Sequence, residues 1–185
     1  MKRLFTVAIA LMLSATFSQQ LSAQTFGAPE FMKGKLVVGG DFDAGYYSNS
    51  LCLGIAPQVG FRLTRSLEVG VRLGYNLNYF PNYGYGRYFY HGFSGAGYAN
   101  FEIFRGFYLH AEDEELCLLV RGKNIEPSAP SWFNSVFVGG GYRQYLSSTS
   151  YYYYALLYDL SFDYYHNTSP YASPLIIRMG FCFAL

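Results

Sequence analysis

Between residues 66 and 79 the chain alternates without a break. Leu67, Val69, Val71, Leu73, Tyr75, Leu77 and Tyr79 fall on one face, and Glu68, Gly70, Arg72, Gly74, Asn76 and Asn78 on the other. A period of two predicts a β-strand whose faces meet different surroundings. The bulky apolar residues share one face; glycine, amide and charge share the other. A soluble barrel fills its inside with the bulky face and shows charge to water. Here the assignment is inverted, as a barrel in a bilayer requires, and glycines suit a narrow interior.

The rest of the chain repeats this pattern in eight predicted strands. In the first, about 33–47, Leu36, Val38, Phe42 and Tyr46 point out and Gly39, Asp41 and Asp43 point in. The second points Leu51, Leu53, Ile55, Val59 and Phe61 out, and Cys52, Gly54, Ala56, Gln58, Gly60 and Arg62 in. The third is 66–79. The fourth, 92–104, has Asn100 and Glu102 inward, and Arg105-Gly106 is a two-residue turn into the fifth, 107–118. The sixth, 132–145, turns Arg143 inward, and the seventh, 151–163, turns Asp159, Ser161 and Asp163 inward. In the eighth, 173–185, Arg178, Gly180 and Cys182 face in. Connections at 64–66, 105–106 and 146–150 are short; those at 80–91, 120–131 and 164–172 are long, and 48–50 is a short exception. Short periplasmic turns and longer external loops are the rule for outer-membrane barrels. The expected fold is an all-β, eight-stranded antiparallel up-and-down transmembrane β-barrel spanning residues 24–185.

Composition narrows the classes further. Aromatics make up 21% of the chain, with 20 Tyr and 17 Phe, and charged residues only 14%, against roughly 25% in soluble domains. No later window holds 18 continuous apolar residues, which excludes helical spans. A net charge of +1 offers no basic face for nucleic acid. At the N-terminus, Lys2 and Arg3 precede an apolar run at 4–17 and a small polar tail at 18–23. This is the layout of a signal peptide, with cleavage expected after Ala23. Cys52, Cys117 and Cys182 are odd in number and match no zinc spacing.

The C-terminal octapeptide, residues 178–185, places Gly180, Phe183 and Leu185 at the spacing of a barrel-assembly signal, although Leu stands where Phe is more usual. The whole mature chain resembles the small eight-stranded outer-membrane barrels of the outer-membrane protein A and X type. Within that class it is similar to uncharacterised barrel proteins of Bacteroidetes. The resemblance implies outer-membrane lipid and the barrel-assembly machinery as partners, and an address in the cell outer membrane. Fold alone says little about activity.

The candidate site is the interior charge set: Asp41, Asp43, Arg62, Glu68, Arg72, Glu102, Arg143, Asp159, Asp163 and Arg178. Charges in a low-dielectric lumen must pair, so a salt-bridge plug is expected ahead of a proton or ion path. His110, Glu112 and Glu114 share a face, but Asp113 and Glu115 would then face lipid. A solvated extension above the membrane, or a bulge, is therefore expected there, in preference to a cation site at the rim. His166 and Ser169 do not match the spacing of lipid A deacylases, which resemble this architecture. No catalytic residue, metal site or cofactor is assigned. The expected role is structural or adhesive, through Tyr- and Gly-rich loops at 80–91, 120–131 and 164–172 that would meet an extracellular partner. The alternatives are a narrow pore or transporter, and a lipid-modifying enzyme.

Overall fold

The computed structural model describes residues 36–47, 50–81, 88–122, 129–163, 170–171 and 173–185. The signal segment, His166 and Ser169 lie outside them, as does the side chain of Asp43. Eight strands follow in order: β1 (Leu36–Tyr47), β2 (Ser50–Arg62), β3 (Leu67–Phe80), β4 (Tyr88–Phe104), β5 (Phe107–Gly122), β6 (Ser131–Tyr145), β7 (Ser150–Asp159) and β8 (Leu175–Ala184). Each pairs antiparallel with its neighbours in sequence, and β8 returns to β1 to close the barrel. From Asp159 the paired residues run through Phe137, Glu112, Tyr98, Gly70, Gly60, Val37 and Ala184. The Ala184 amide bonds the Thr149 carbonyl. One circuit of the wall thus returns ten residues away, from position 159 to 149, a stagger that goes with strands tilted by about 35–45°.

Which face points inward follows the alternation. Phe42, Leu73 and Ile103 are 65%, 63% and 60% exposed, whereas Arg62 and Glu68 are 1% exposed. Interior tyrosines lie over glycines on the neighbouring strand. A Cβ on Gly70 would come within 2.6 Å of the Tyr98 ring, one on Gly141 within 2.6 Å of Tyr108, and one on Gly180 within 2.5 Å of Tyr153. In these pairs aromatic rings cover glycine backbone, as they do in curved sheets.

The β4–β5 hairpin closes through Arg105 and Gly106, with φ of 45° and 86°. Positive φ at both central residues marks a type I′ turn, whose twist matches the flanking strands. A Cβ on Gly106 would lie 2.5 Å from the Arg143 carbonyl oxygen, and the Gly106 amide donates to Glu102.

Several expectations are corrected. The loop expected at 80–91 is shorter at both ends, because Phe80 belongs to β3 and residues 88–91 to β4. Likewise β5 runs on to Gly122 and β6 starts at Ser131, so strand takes both ends of the loop expected at 120–131. β7 ends at Asp159, not 163. The Asp159 carboxylate accepts the Ser161 amide at 2.9 Å and turns the chain, so Asp163 lies half-buried beyond the strand and is not on an inward rung. The bulge expected near 113 is absent, for β5 pairs without a shift from Phe107 to Leu118 on the β6 side. The register shift falls between Glu102 and Phe104 instead.

Candidate functional site

The barrel interior holds the densest chemistry among the described residues. Inward rungs of β2, β3, β4 and β6 bring Arg62, Glu68, Glu102 and Arg143 together near the short-turn end. Glu68 is the hub. Arg143 lies 3.0 Å and Arg62 3.3 Å from the same carboxylate oxygen, and Tyr151 donates to it at 3.3 Å. Asn100 donates to the other oxygen at 3.3 Å. Arg143 also approaches Glu102 at 3.8 Å, and Tyr145 donates to Glu102 at 2.9 Å. The Arg143 guanidinium lies 4.8 Å and 5.1 Å from the rings of Tyr108 and Tyr151, within cation–π range.

A second cluster sits above it. Arg72 reaches Asp41 at 2.9 Å and Glu114 at 3.1 Å. Arg178 pairs with Glu112 and lies 3.7 Å from Glu114. Tyr171, from the connection before β8, donates to Glu114; burial, then the Glu114 charge, pushes its phenol well above the ordinary range, so it remains a donor. His110 joins the two clusters, contacting Asn100 at 2.7 Å and Glu112 at 3.1 Å.

Of the expected set, Asp41, Arg62, Glu68, Arg72, Glu102, Arg143 and Arg178 meet in this network. Asp159 is buried but occupied with the turn after β7, and Asp163 is not on the lumen wall. Glu112 and Glu114 are the residues the sequence reading misplaced. Both are buried at the centre of the upper cluster, not in a solvated extension. The acidic run 112–115 hid them, because every second member points outward. Asp113 and Glu115 do face out, and Asn134 on β6 donates to both, at 2.8 Å and 3.1 Å. That cross-strand amide was the missed signal.

Among the described residues, four buried guanidinium groups lie with six buried carboxylates, Asp41, Glu68, Glu102, Glu112, Glu114 and Asp159, so acidic groups outnumber arginines there. The void among Arg72, His110, Glu112 and Arg178 measures about 20 Å³, room for about one water molecule. Arg72 Nε and Glu112 Oε1 at its edge have no hydrogen-bond partner. No three His, Cys, Asp or Glu side chains among the described residues are grouped to hold a metal ion. The three cysteines are thiols, and Cys182 accepts from the Gln58 amide at 3.0 Å.

No family model matches this chain, and no curated protein matches it. Among solved structures it is similar to the N-terminal β-barrel domain of Pseudomonas aeruginosa OprF, at 12% identity and a TM-score of 0.49, covering 83% of this chain and 98% of that one.

Proposed function

We propose that the protein is an integral outer-membrane β-barrel with a plugged lumen, acting as a structural or adhesive element that presents its long connections outside the cell. The observation that carries this reading is the inverted distribution of polarity. Arginines and carboxylates are buried inside while Leu73, Ile103, Phe101 and Ile177 are exposed around the outside. Water would leave that apolar wall uncovered, and exposed apolar surface on this scale marks a membrane or a partner. A bilayer covers all of it and favours backbone groups paired strand to strand, as they are around the closed barrel. The ion-paired interior, with its void of about 20 Å³, disfavours the pore and transporter alternative. A lipid-modifying enzyme has no support from the described residues, whose clustered charges are engaged with one another. Outer-membrane lipid and the assembly machinery are the partners this reading implies, the latter through Gly180, Phe183 and Leu185.

The test is fluorescence labelling in vesicles. Single-Cys probes, in a background with Cys52, Cys117 and Cys182 replaced, are placed at Val71, Leu73 and Asn76. Brominated lipid should quench the first two and spare the third. Quenching at Asn76 instead, or at none, overturns the membrane reading.

A further inference from the structure

The two clusters of the interior meet in one chain of hydrogen bonds, and the hydrogens in it can be counted. The chain runs from Glu68 on β3 through Asn100 on β4 and His110 on β5 to Glu112, two residues further along β5. Asn100 Nδ2 lies 3.3 Å from Glu68 Oε1. Asn100 Oδ1 lies 2.7 Å from His110 Nδ1, and His110 Nε2 lies 3.1 Å from Glu112 Oε2. Each contact needs one hydrogen between its two heavy atoms. Both ends are carboxylates paired with arginines, Glu68 with Arg62 and Arg143 and Glu112 with Arg178, and an ionised carboxylate only accepts.

Asn100 must therefore turn its amide nitrogen to Glu68 and its oxygen to His110. That oxygen in turn requires a hydrogen on Nδ1. A neutral imidazole then has none left for Nε2, whose lone pair would face Glu112 Oε2. Three contacts need three hydrogens, and Asn100 with a neutral His110 supplies two.

The surroundings accommodate the further positive charge. The His110 side chain is 10% exposed. It borders the void shared with Glu112 on β5, Arg72 on β3, Arg143 on β6 and Arg178 on β8. The three guanidinium groups oppose another cation, but each is matched: Arg143 to Glu68 at 3.0 Å, Arg72 to Asp41 at 2.9 Å, and Arg178 to Glu112. The phenols near the ring add no charge: Tyr98 on β4, stacked on it with centroids 6.1 Å apart, and Tyr108 on β5 with Tyr151 and Tyr153 on β7 around the void. Among the described residues, six buried carboxylates against four buried arginines leave two negative charges over, and buried charge calls for compensation.

From this hydrogen count we infer that the folded barrel binds one proton at the His110–Glu112 contact, with His110 as its carrier. The proton is taken from solvent as the chain folds. It makes His110 an imidazolium that donates to Asn100 through Nδ1 and to Glu112 through Nε2, and so completes the link between the Glu68 and Glu112 clusters. Its release sets a nitrogen lone pair against a carboxylate oxygen. The inference concerns the interior alone and is independent of what covers the outer wall.

The test reads the ring nitrogens directly. In the full chain with His91 and His166 replaced by Gln, His110 is the one imidazole. Labelled with nitrogen-15 and folded in detergent micelles at about pH 7.5, above the ordinary imidazole value of ~6.5, it should show hydrogen on both ring nitrogens in long-range proton–nitrogen correlation spectra. A single protonated nitrogen overturns the inference. Glu112→Gln supplies the missing donor, because its amide can face Nε2. In that variant, folded, the Nε2 hydrogen should be lost while Nδ1 keeps its own. An Nε2 hydrogen retained there overturns Glu112 as the group that calls for the proton. If the variant does not fold, the spectrum of the protein with Glu112 in place decides alone.

Discussion

Arg72 shows how a single side chain ties the interior together. It reaches carboxylates from two other strands, Asp41 on β1 and Glu114 on β5, so its removal strips Asp41 of its cation and leaves Glu114 with Arg178 alone, at 3.7 Å. Breaking buried pairs in this way costs about 3–5 kcal/mol. Arg72→Ala should accordingly lower the urea midpoint in detergent far more than Ser131→Ala, an exposed change expected to stay within about 0.5 kcal/mol. Equal midpoints would show that the network does not hold the wall. That Arg72 and Asp41 both face inward could be read from parity alone; that they meet could not. Which carboxylates stand opposite the guanidinium depends on how β1 and β5 are registered against β3 around the barrel.

At the scale of elements, β5 is the strand that departs from the outer apolar pattern. Its outward residues run Phe107, Leu109, Ala111, Asp113 and Glu115, so two carboxylates interrupt the apolar wall mid-strand. Asn134 on β6 donates to both, which shields them in part. Trp132, on the same outward face two residues further along β6, is 68% exposed and fits an interfacial aromatic anchor. The acidic pair then lies just inside the membrane boundary, where the cost of charge falls towards ~0–1 kcal/mol. Asp113→Leu should therefore stabilise the protein in vesicles by about 1 kcal/mol or less, measured by urea titration of folded fraction. A marked loss of stability would indicate that a cation or partner held the carboxylate. In contrast, Val71→Arg on β3, centred in the apolar wall, should cost about 2–4 kcal/mol.

For the whole molecule, the consequence of eight strands staggered by ten residues is an interior that side chains can fill. Arg62, Glu68, Arg143 and Tyr151 close one half, and Arg72, Glu112, Glu114 and Arg178 the other. The expected outcome in planar bilayers is no steady single-channel conductance for the intact barrel. Stable unitary currents from a purified, folded sample would favour the pore reading over the plugged barrel. The departure from uniform closure is the β1–β8 seam, where pairing covers only Val37–Asp41 against Ala184–Gly180.

Period-two alternation was enough to determine strand number, strand order by adjacency, and which residues point inward within each strand, though not where β7 ends before Asp163, because side-chain direction in a strand is a local property of the backbone. Turn chemistry was equally local, as Arg105-Gly106 shows. The tertiary structure decided what depends on stagger and closure. Glu112 and Glu114 became the centre of the network because the circuit of the barrel sets β5 opposite β3 and β8 at the height of Arg72 and Arg178. The end of β7 at Asp159 was set by a side chain folding back on the Ser161 amide, at a point where the alternation itself gave no stop. The short zipper between β1 and β8 joins residues at opposite ends of the chain, and no pattern within either strand reveals how far their pairing runs.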